Sequence, residues 1–236
     1  MGVSQNTTPM CSGLATVARQ PGPAWKRFGW KLLLCIFLAA VPVGILVAHS
    51  IAEHNFHIVS AGLVYRSGQL DPPDLTRVVS ERGIKSILNL RGNNGYTPWY
   101  KAETNTSRIL GLKHIDFELA ADHELSNAEM EKLLAVIKQA PKPILIHCKS
   151  GSDRTGLVGA LYLYGMEGKS ADVADRELTM MFGHIPAIFW NTKAMDRSFW
   201  RYVGNHSPRE AQNDVEHAQP VTTREKPVAN AALRFQ

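Results

Sequence analysis

An α/β layer fold, with a mainly parallel central sheet flanked by helices, is predicted by two features of the middle of this chain. Short runs of branched apolar residues alternate with longer stretches of helical period, the order that builds strand-helix-strand units. Two of the helical stretches also carry start signals: Asp71-Pro72-Pro73 before one, and Ser126 with Glu129 before another.

The elements follow in order. Leu63-Val64-Tyr65 reads as a short strand leading into a turn at Arg66-Ser67-Gly68-Gln69. Asp71 caps a helix that ends near Arg82-Gly83. Ile84 to Leu90 is a strand, stopped by Gly92-Asn93-Asn94-Gly95. A helix from about Pro98 to Leu110 and a strand from Leu112 to Leu119 come next. Ser126 and Glu129 form a capping box ahead of Met130, Leu133, Leu134 and Ile137, whose spacing is helical. Pro143-Ile144-Leu145-Ile146 is wholly apolar, as a strand buried on both faces must be, and Leu157 to Tyr164 resumes helical period. Helices at about Ser170–Phe182 and Pro186–Val203 complete the layer.

This folded unit covers residues 53–204. Residues 1–24 are rich in Ser, Thr, Gly and Pro and read as a flexible tail, and residues 205–236 as a disordered C-terminal tail. Residues 25–52 read as a membrane anchor. Leu32 to Ala48 carries no charge, and the apolar character extends through residue 52, long enough to cross a hydrocarbon core. Arg19, Lys26, Arg27 and Lys31 precede the span, while the first basic residue after it is Arg66. The N-terminus is therefore expected in the cytoplasm and the folded unit outside it, in the periplasm if the source is bacterial. A cleaved signal peptide with secretion is the alternative.

Composition narrows the class further. Hydrophobic residues make up 44% and charged residues 20% of the 236, enough for a substantial core, and the net charge of +5 suits an anionic partner. No recognition-helix, zinc-finger or aromatic-basic pattern points to nucleic acid. The cysteines are Cys11, Cys35 and Cys148, without metal-ligand spacing, and Cys148 stands alone in the folded unit; no cofactor is expected. Oligomeric state is not legible.

The segment His147-Cys148-Lys149-Ser150-Gly151-Ser152-Asp153-Arg154-Thr155-Gly156 lies between a strand end and a helix start. A helix N-terminus leaves amides without partners and carries the positive end of the dipole, so a loop curled over it surrounds an anion. Gly151 relaxes the backbone for that curl. The same amides stabilise a thiolate, which makes Cys148 the expected nucleophile. Arg154 offers a planar fork of donors that matches two phosphoryl oxygens. Lys149, Ser150, Gly151, Ser152, Asp153 and Thr155 would line the bound phosphate, and His147 would support the loop from the strand side.

This segment resembles the His-Cys-x5-Arg-Ser/Thr-Gly signature of the cysteine-dependent protein-tyrosine-phosphatase superfamily, and especially its dual-specificity and lipid-phosphatase branch. The resemblance is strong over Ile144–Leu161 and follows the order of elements over about residues 60–200. It implies a phosphocysteine on Cys148 that water then hydrolyses, with no metal. A rhodanese-like sulfurtransferase also sets a cysteine in an anion-binding loop, but the Arg-Thr-Gly ending fits the phosphatase better.

A departing alkoxide needs a proton, and a carboxylic acid near the phosphate is the usual source. Asp116 lies 32 positions before Cys148 in the sequence, but inside a strand. Asp122 lies just beyond that strand and is slightly preferred, with Glu124 as a third candidate. Arg91 and Arg66 each follow a predicted strand and would reach the same rim. The function expected is a membrane-anchored phosphomonoesterase acting on an anionic lipid or other envelope phosphate, attached through residues 32–52. A protein tyrosine or serine/threonine phosphatase is the alternative, and a non-catalytic phosphate-binding module the third reading.

Overall fold

In a computed structural model the described residues are 54–186 and 190–207, together with Trp30, Lys31, Leu34–Leu38, Ala40, Val41, Gly44, Glu210 and Asn213. The chain divides into two compact units, residues 1–45 and 46–236. In the first, the described residues are helical and exposed. Among the described residues no helix is long and apolar enough to cross a membrane. Most of the expected span 32–52, the tail 1–24 and most of the tail 205–236 lie outside the described residues.

The second unit is built on a five-stranded sheet. Its strands are β1 (His57–Ser60), β2 (Val64–Ser67), β3 (Ser86–Asn89), β4 (Lys113–Asp116) and β5 (Ile144–His147), in the order β1-β2-β5-β3-β4. All pairs are parallel except β1 with β2. The antiparallel edge strand β1 was not anticipated: it is four residues long, interrupted by an irregularity between Ile58 and Ser60, and only partly buried. Such a strand has neither the length nor the apolar run that marks its neighbours.

The helices are α1 (Pro72–Arg82), α2 (Pro98–Ile109), α3 (Asn127–Gln139), α4 (Asp153–Gly165), α5 (Ala171–Ala174) and α6 (Lys193–Asn205). The Asp71 side chain caps α1 through the Asp74 amide, and Ser126 with Glu129 forms the capping box of α3. Three expectations need correction. The turn at Arg66-Ser67 is the buried end of β2, and the single helix expected over Ser170–Phe182 breaks after α5 into short 3₁₀ turns at Asp175–Glu177 and Met180–Phe182. The interruption falls at Leu178 and Thr179, whose backbones leave the helical region. Likewise α6 starts at Lys193 rather than Pro186, after a 3₁₀ turn at Trp190–Thr192.

Alternation along β5 sets the two core layers. Ile144 and Ile146 face a large cluster that includes Leu133, Leu134 and Ile137 of α3, Leu157, Val158 and Leu161 of α4, and Met195, Phe199 and Tyr202 of α6. Leu145 faces a smaller cluster with Tyr65, Leu75, Val78 and Ile87. Helix α4 is buried all round from Thr155 to Gly165, as expected of a central helix without a solvent face. Each fully buried Leu or Ile contributes roughly 1.5–3 kcal/mol. That burial holds the β5 end and the α4 start in fixed apposition.

Candidate active site

Register brings four strand ends into one row: Ser67, His147, Asn89 and Asp116 are successive neighbours across β2, β5, β3 and β4. The chain leaves this row through Cys148 and re-enters helix at Asp153. Cys148 is buried, and the Gly151 amide donates to its Sγ at 3.2 Å. Gly151 has φ +75°, and a Cβ there would come within 2.6 Å of the Gly68 nitrogen and 2.7 Å of the Ser67 carbonyl carbon. Only glycine allows the loop to lie so close against β2.

The loop's carbonyls are all held from outside. His147 Nδ1 lies 3.3 Å from the Cys148 oxygen, the Gln69 amide donates to Lys149 at 3.1 Å, and Asn55 Nδ2 donates to Ser150 at 3.1 Å. Arg66 Nη2 donates to Gly151 at 2.6 Å and to Ser152 at 3.2 Å. Carbonyls fixed outward leave the alternate face of each peptide, its N–H, for the interior of the curl, the arrangement that binds anions. The first amides of α4 have no intrahelical acceptors and add to it.

Arg66 therefore sits beneath the loop, not on the rim. It is fully buried, and its Nη1 donates to Glu177 through the backbone oxygen at 2.9 Å and Oε2 at 2.5 Å, while the Phe182 ring lies 4.3 Å from its guanidinium carbon. Glu177 reaches it over the glycines of α4. A Cβ at Gly156 would lie 2.7 Å from the Glu177 backbone oxygen, and one at Gly159 2.8 Å from Oε2. Glu177 carried no local signal, since the expected helix around it breaks.

Arg154 Nη1 donates to the Leu119 carbonyl at 3.2 Å, which ties it to the segment after β4. Thr155 Oγ1 is buried and has no hydrogen-bond partner among the described residues. Lys149 and Ser150 are exposed, and Ser152 is buried. Asp153 is paired through Oδ1 with His184 Nδ1 at 2.7 Å, and His184 Nε2 lies 3.0 Å from Asp196 of α6. Burial opposes the charge on His184, but the hydrogen bonds to Asp153 and Asp196 outweigh it and raise its pKa to about 9.

A second buried network centres on Glu103 of α2. Its carboxylate pairs with His147 Nε2 at 3.2 Å and His114 Nε2 at 2.8 Å, and it also accepts from Gln69 Nε2. Burial would raise the Glu103 pKa, yet the charge of His147 and the hydrogen bonds from both histidines hold it well below the ordinary carboxylate range. Gln69 Oε1 in turn accepts from Arg91 at 2.9 Å, and Arg91 stacks 3.5 Å above the Trp99 ring. Burial, and the like charge of Arg154, lower the Arg91 pKa, while Glu103 and Cys148 partly offset this, so Arg91 shares its electrostatic surroundings with the loop. Sequence reading missed Glu103. Its spacing from the buried Tyr100 and Thr106, three positions on either side, was the available signal that it faces inward.

The candidate acids separate clearly. Asp116 ends β4 two strands from His147, roughly 10 Å at the usual strand spacing. It accepts from Tyr100 Oη at 2.5 Å and Asn89 Nδ2 at 2.8 Å, so both oxygens are engaged. Asp122 is exposed, and its hydrogen bond with His123 holds its pKa below the usual value. Glu124 pairs with Arg197 Nε and Arg201 Nη2 of α6, whose Ser198 Oγ also accepts from the Leu125 amide at 2.9 Å. No group of residues able to hold a metal ion occurs among the described residues.

Comparison with known proteins agrees with this geometry. The tyrosine phosphatase family matches over residues 50–178. Inositol diphosphatase DSP1 of rice, Oryza sativa subsp. japonica, is 35% identical over 109 residues, 44% of this chain and 46% of the rice protein, so the match spans about half the length of that relative. The crystal structure of TpbA from P. aeruginosa is similar with a TM-score of 0.53 at 19% identity, covering 70% of this chain and 92% of that one. A cysteine-to-serine variant of TpbA in complex with phosphotyrosine gives 0.52. At that identity the likeness speaks for the fold alone.

Proposed function

Because the chain belongs to the tyrosine phosphatase family of cysteine-dependent phosphoric monoester hydrolases, we propose that it hydrolyses phosphomonoesters through a phosphocysteine on Cys148. The observation that carries this reading is the loop from Cys148 to Ser152, whose carbonyls are all bound from outside while its sulfur already accepts an amide hydrogen. The thiolate attacks phosphorus as the ester P–O bond breaks. Loop amides and the Arg154 fork stabilise the charge on the three equatorial oxygens. Asp122 gives its proton to the leaving alkoxide, then as carboxylate takes one from the water that attacks phosphorus and breaks the P–S bond. Without substrate the His123 hydrogen bond disfavours the protonated form of Asp122, and the negative charge of the bound phosphate is what raises it.

The substrate is an anionic lipid or another phosphate of the cell envelope, and residues 32–52 anchor the enzyme with its folded unit outside the cytoplasm. Supporting this are the uncharged run from Leu32 to Ala48, the basic residues Lys26, Arg27 and Lys31 close before it with none after it until Arg66, and the net charge of +5. A soluble inositol phosphate is the second reading, favoured by the similarity to the rice inositol diphosphatase. Cys148→Ser tests the chemistry. Turnover should fall by roughly 10⁴-fold or more while vanadate still binds, since the hydroxyl fills the loop but is a poor nucleophile. Equal turnover by the variant and the parent would refute the mechanism.

A further inference from the structure

The point where the chain joins the folded unit is built against the phosphate loop. His54 and Asn55 both have left-handed backbones, φ 49° and 53°, a conformation few residues adopt without compensation. The compensation is visible. The His54 carbonyl accepts from the Gly68 amide at 2.7 Å, and Asn55 Nδ2 donates both to Ser150 of the phosphate loop at 3.1 Å and to the Phe182 carbonyl at 2.8 Å. One side chain thus ties the start of the unit to the loop and to the 3₁₀ turn Met180–Phe182.

That turn exposes two large apolar side chains in succession, Met180 at 73% and Met181 at 79%. Single exposed apolar residues are ordinary, but these lie on a turn hydrogen-bonded to the chain's point of arrival. The apolar segment ends at Ala52 in the sequence, and three residue steps of extended chain cover at most about 11 Å. A bilayer crossed by that segment would therefore lie beside Asn55, and through Asn55 beside both the methionine turn and the Ser150 side of the phosphate loop. Unbranched methionines adapt to an irregular, fluid surface. Lys149, exposed on the same loop, supplies a cation for anionic headgroups.

We propose that Met180 and Met181 dock the folded unit onto the surface of its own anchoring bilayer, so that the Cys148 loop opens toward phosphate esters carried by lipid in that surface. This rests on the reading of the chain as an anchored phosphatase. The test uses the full chain reconstituted in vesicles of phosphatidylcholine and phosphatidylglycerol, with plain or brominated acyl chains. Fluorescence that Met181→Trp adds over the parent should be quenched by the brominated lipid. Met180→Glu with Met181→Glu should lower hydrolysis of phosphatidic acid in the same vesicles by roughly tenfold and leave hydrolysis of soluble p-nitrophenyl phosphate unchanged. Unquenched fluorescence, or equal loss on both substrates, would overturn the docking. A parent inactive on both substrates would instead sink the phosphatase reading, and quenching would still decide the docking.

Discussion

The loop around Cys148 and the segment carrying Asp122, the proposed acid, are held in opposite ways. In the first, Cys148 is buried, the four carbonyls from Lys149 to Ser152 each accept from a donor elsewhere in the fold, and that of Cys148 lies against the neighbouring His147 ring. The second is fixed at its ends, by Arg154 at Leu119 and by α6 at Glu124 and Leu125, with Asp122 and His123 exposed between. The difference teaches where rigidity is needed. An anion hole stabilises charge only if its dipoles are oriented beforehand, whereas an acid must approach leaving groups of different shape and exchange protons with water.

The strongest way to break this contrast is Asp122→Asn. Turnover of an alkyl phosphate should fall by roughly 10²–10⁴-fold, and turnover of p-nitrophenyl phosphate far less, because only the poor leaving group needs the proton. Asp116→Asn serves as the control. Its carboxylate already accepts from Tyr100 and Asn89, so any loss should be the same for both leaving groups. Were the leaving-group dependence to follow Asp116 instead, the assignment would reverse.

A smaller and differently shaped effect is expected on the loop side. Arg66→Lys keeps the buried charge beside Glu177 but loses the planar fork that reaches both Gly151 and Ser152. Activity should fall by roughly 10–100-fold, the worth of one or two charge-assisted hydrogen bonds, equally for good and poor leaving groups. A loss confined to poor leaving groups would show that Arg66 acts through the acid and not through the loop.

The smallest effect is on stability. His184, between Asp153 at the loop and Asp196 on α6, has its pKa raised from the ordinary 6.5 to about 9 in the folded state. The folded state therefore holds this proton more tightly than the unfolded state. Its contribution is fully present below about pH 6.5 and is lost as pH rises through about 9. Thermal unfolding followed from pH 6 to 10 should show a falling midpoint. His184→Gln should flatten that slope, and an unchanged slope would remove His184 from the loop's support.

Much of this was legible because it is local. Asp71 and Ser126 announce helix starts by accepting from amides three positions on, Glu129 by accepting from the amide three positions back, and the apolar run Ile144–Ile146 can only be a buried strand where it stands. The edge strand β1 was not, because its four partly buried residues carry no apolar run and are interrupted between Ile58 and Ser60, and neither was the broken helix after Ala174, because Glu177 is held by a residue far along the chain. Arg66 illustrates the limit. Beside Ser67-Gly68 it reads as part of a turn, yet it is 111 positions from Glu177, its buried counter-charge.

By itself the sequence determined the chemistry, since a cysteine, a glycine and an arginine at fixed separations between a strand and a helix specify an anion-binding loop through backbone geometry alone. Only the tertiary structure decided which side chains turn that loop's carbonyls outward, which aspartate is left open to solvent, and that Asn55 lies against the phosphate loop. Those outcomes depend on burial and on pairings across long stretches of chain. Such pairings take their energy from excluding water around several elements at once, and no single stretch of residues contains that information.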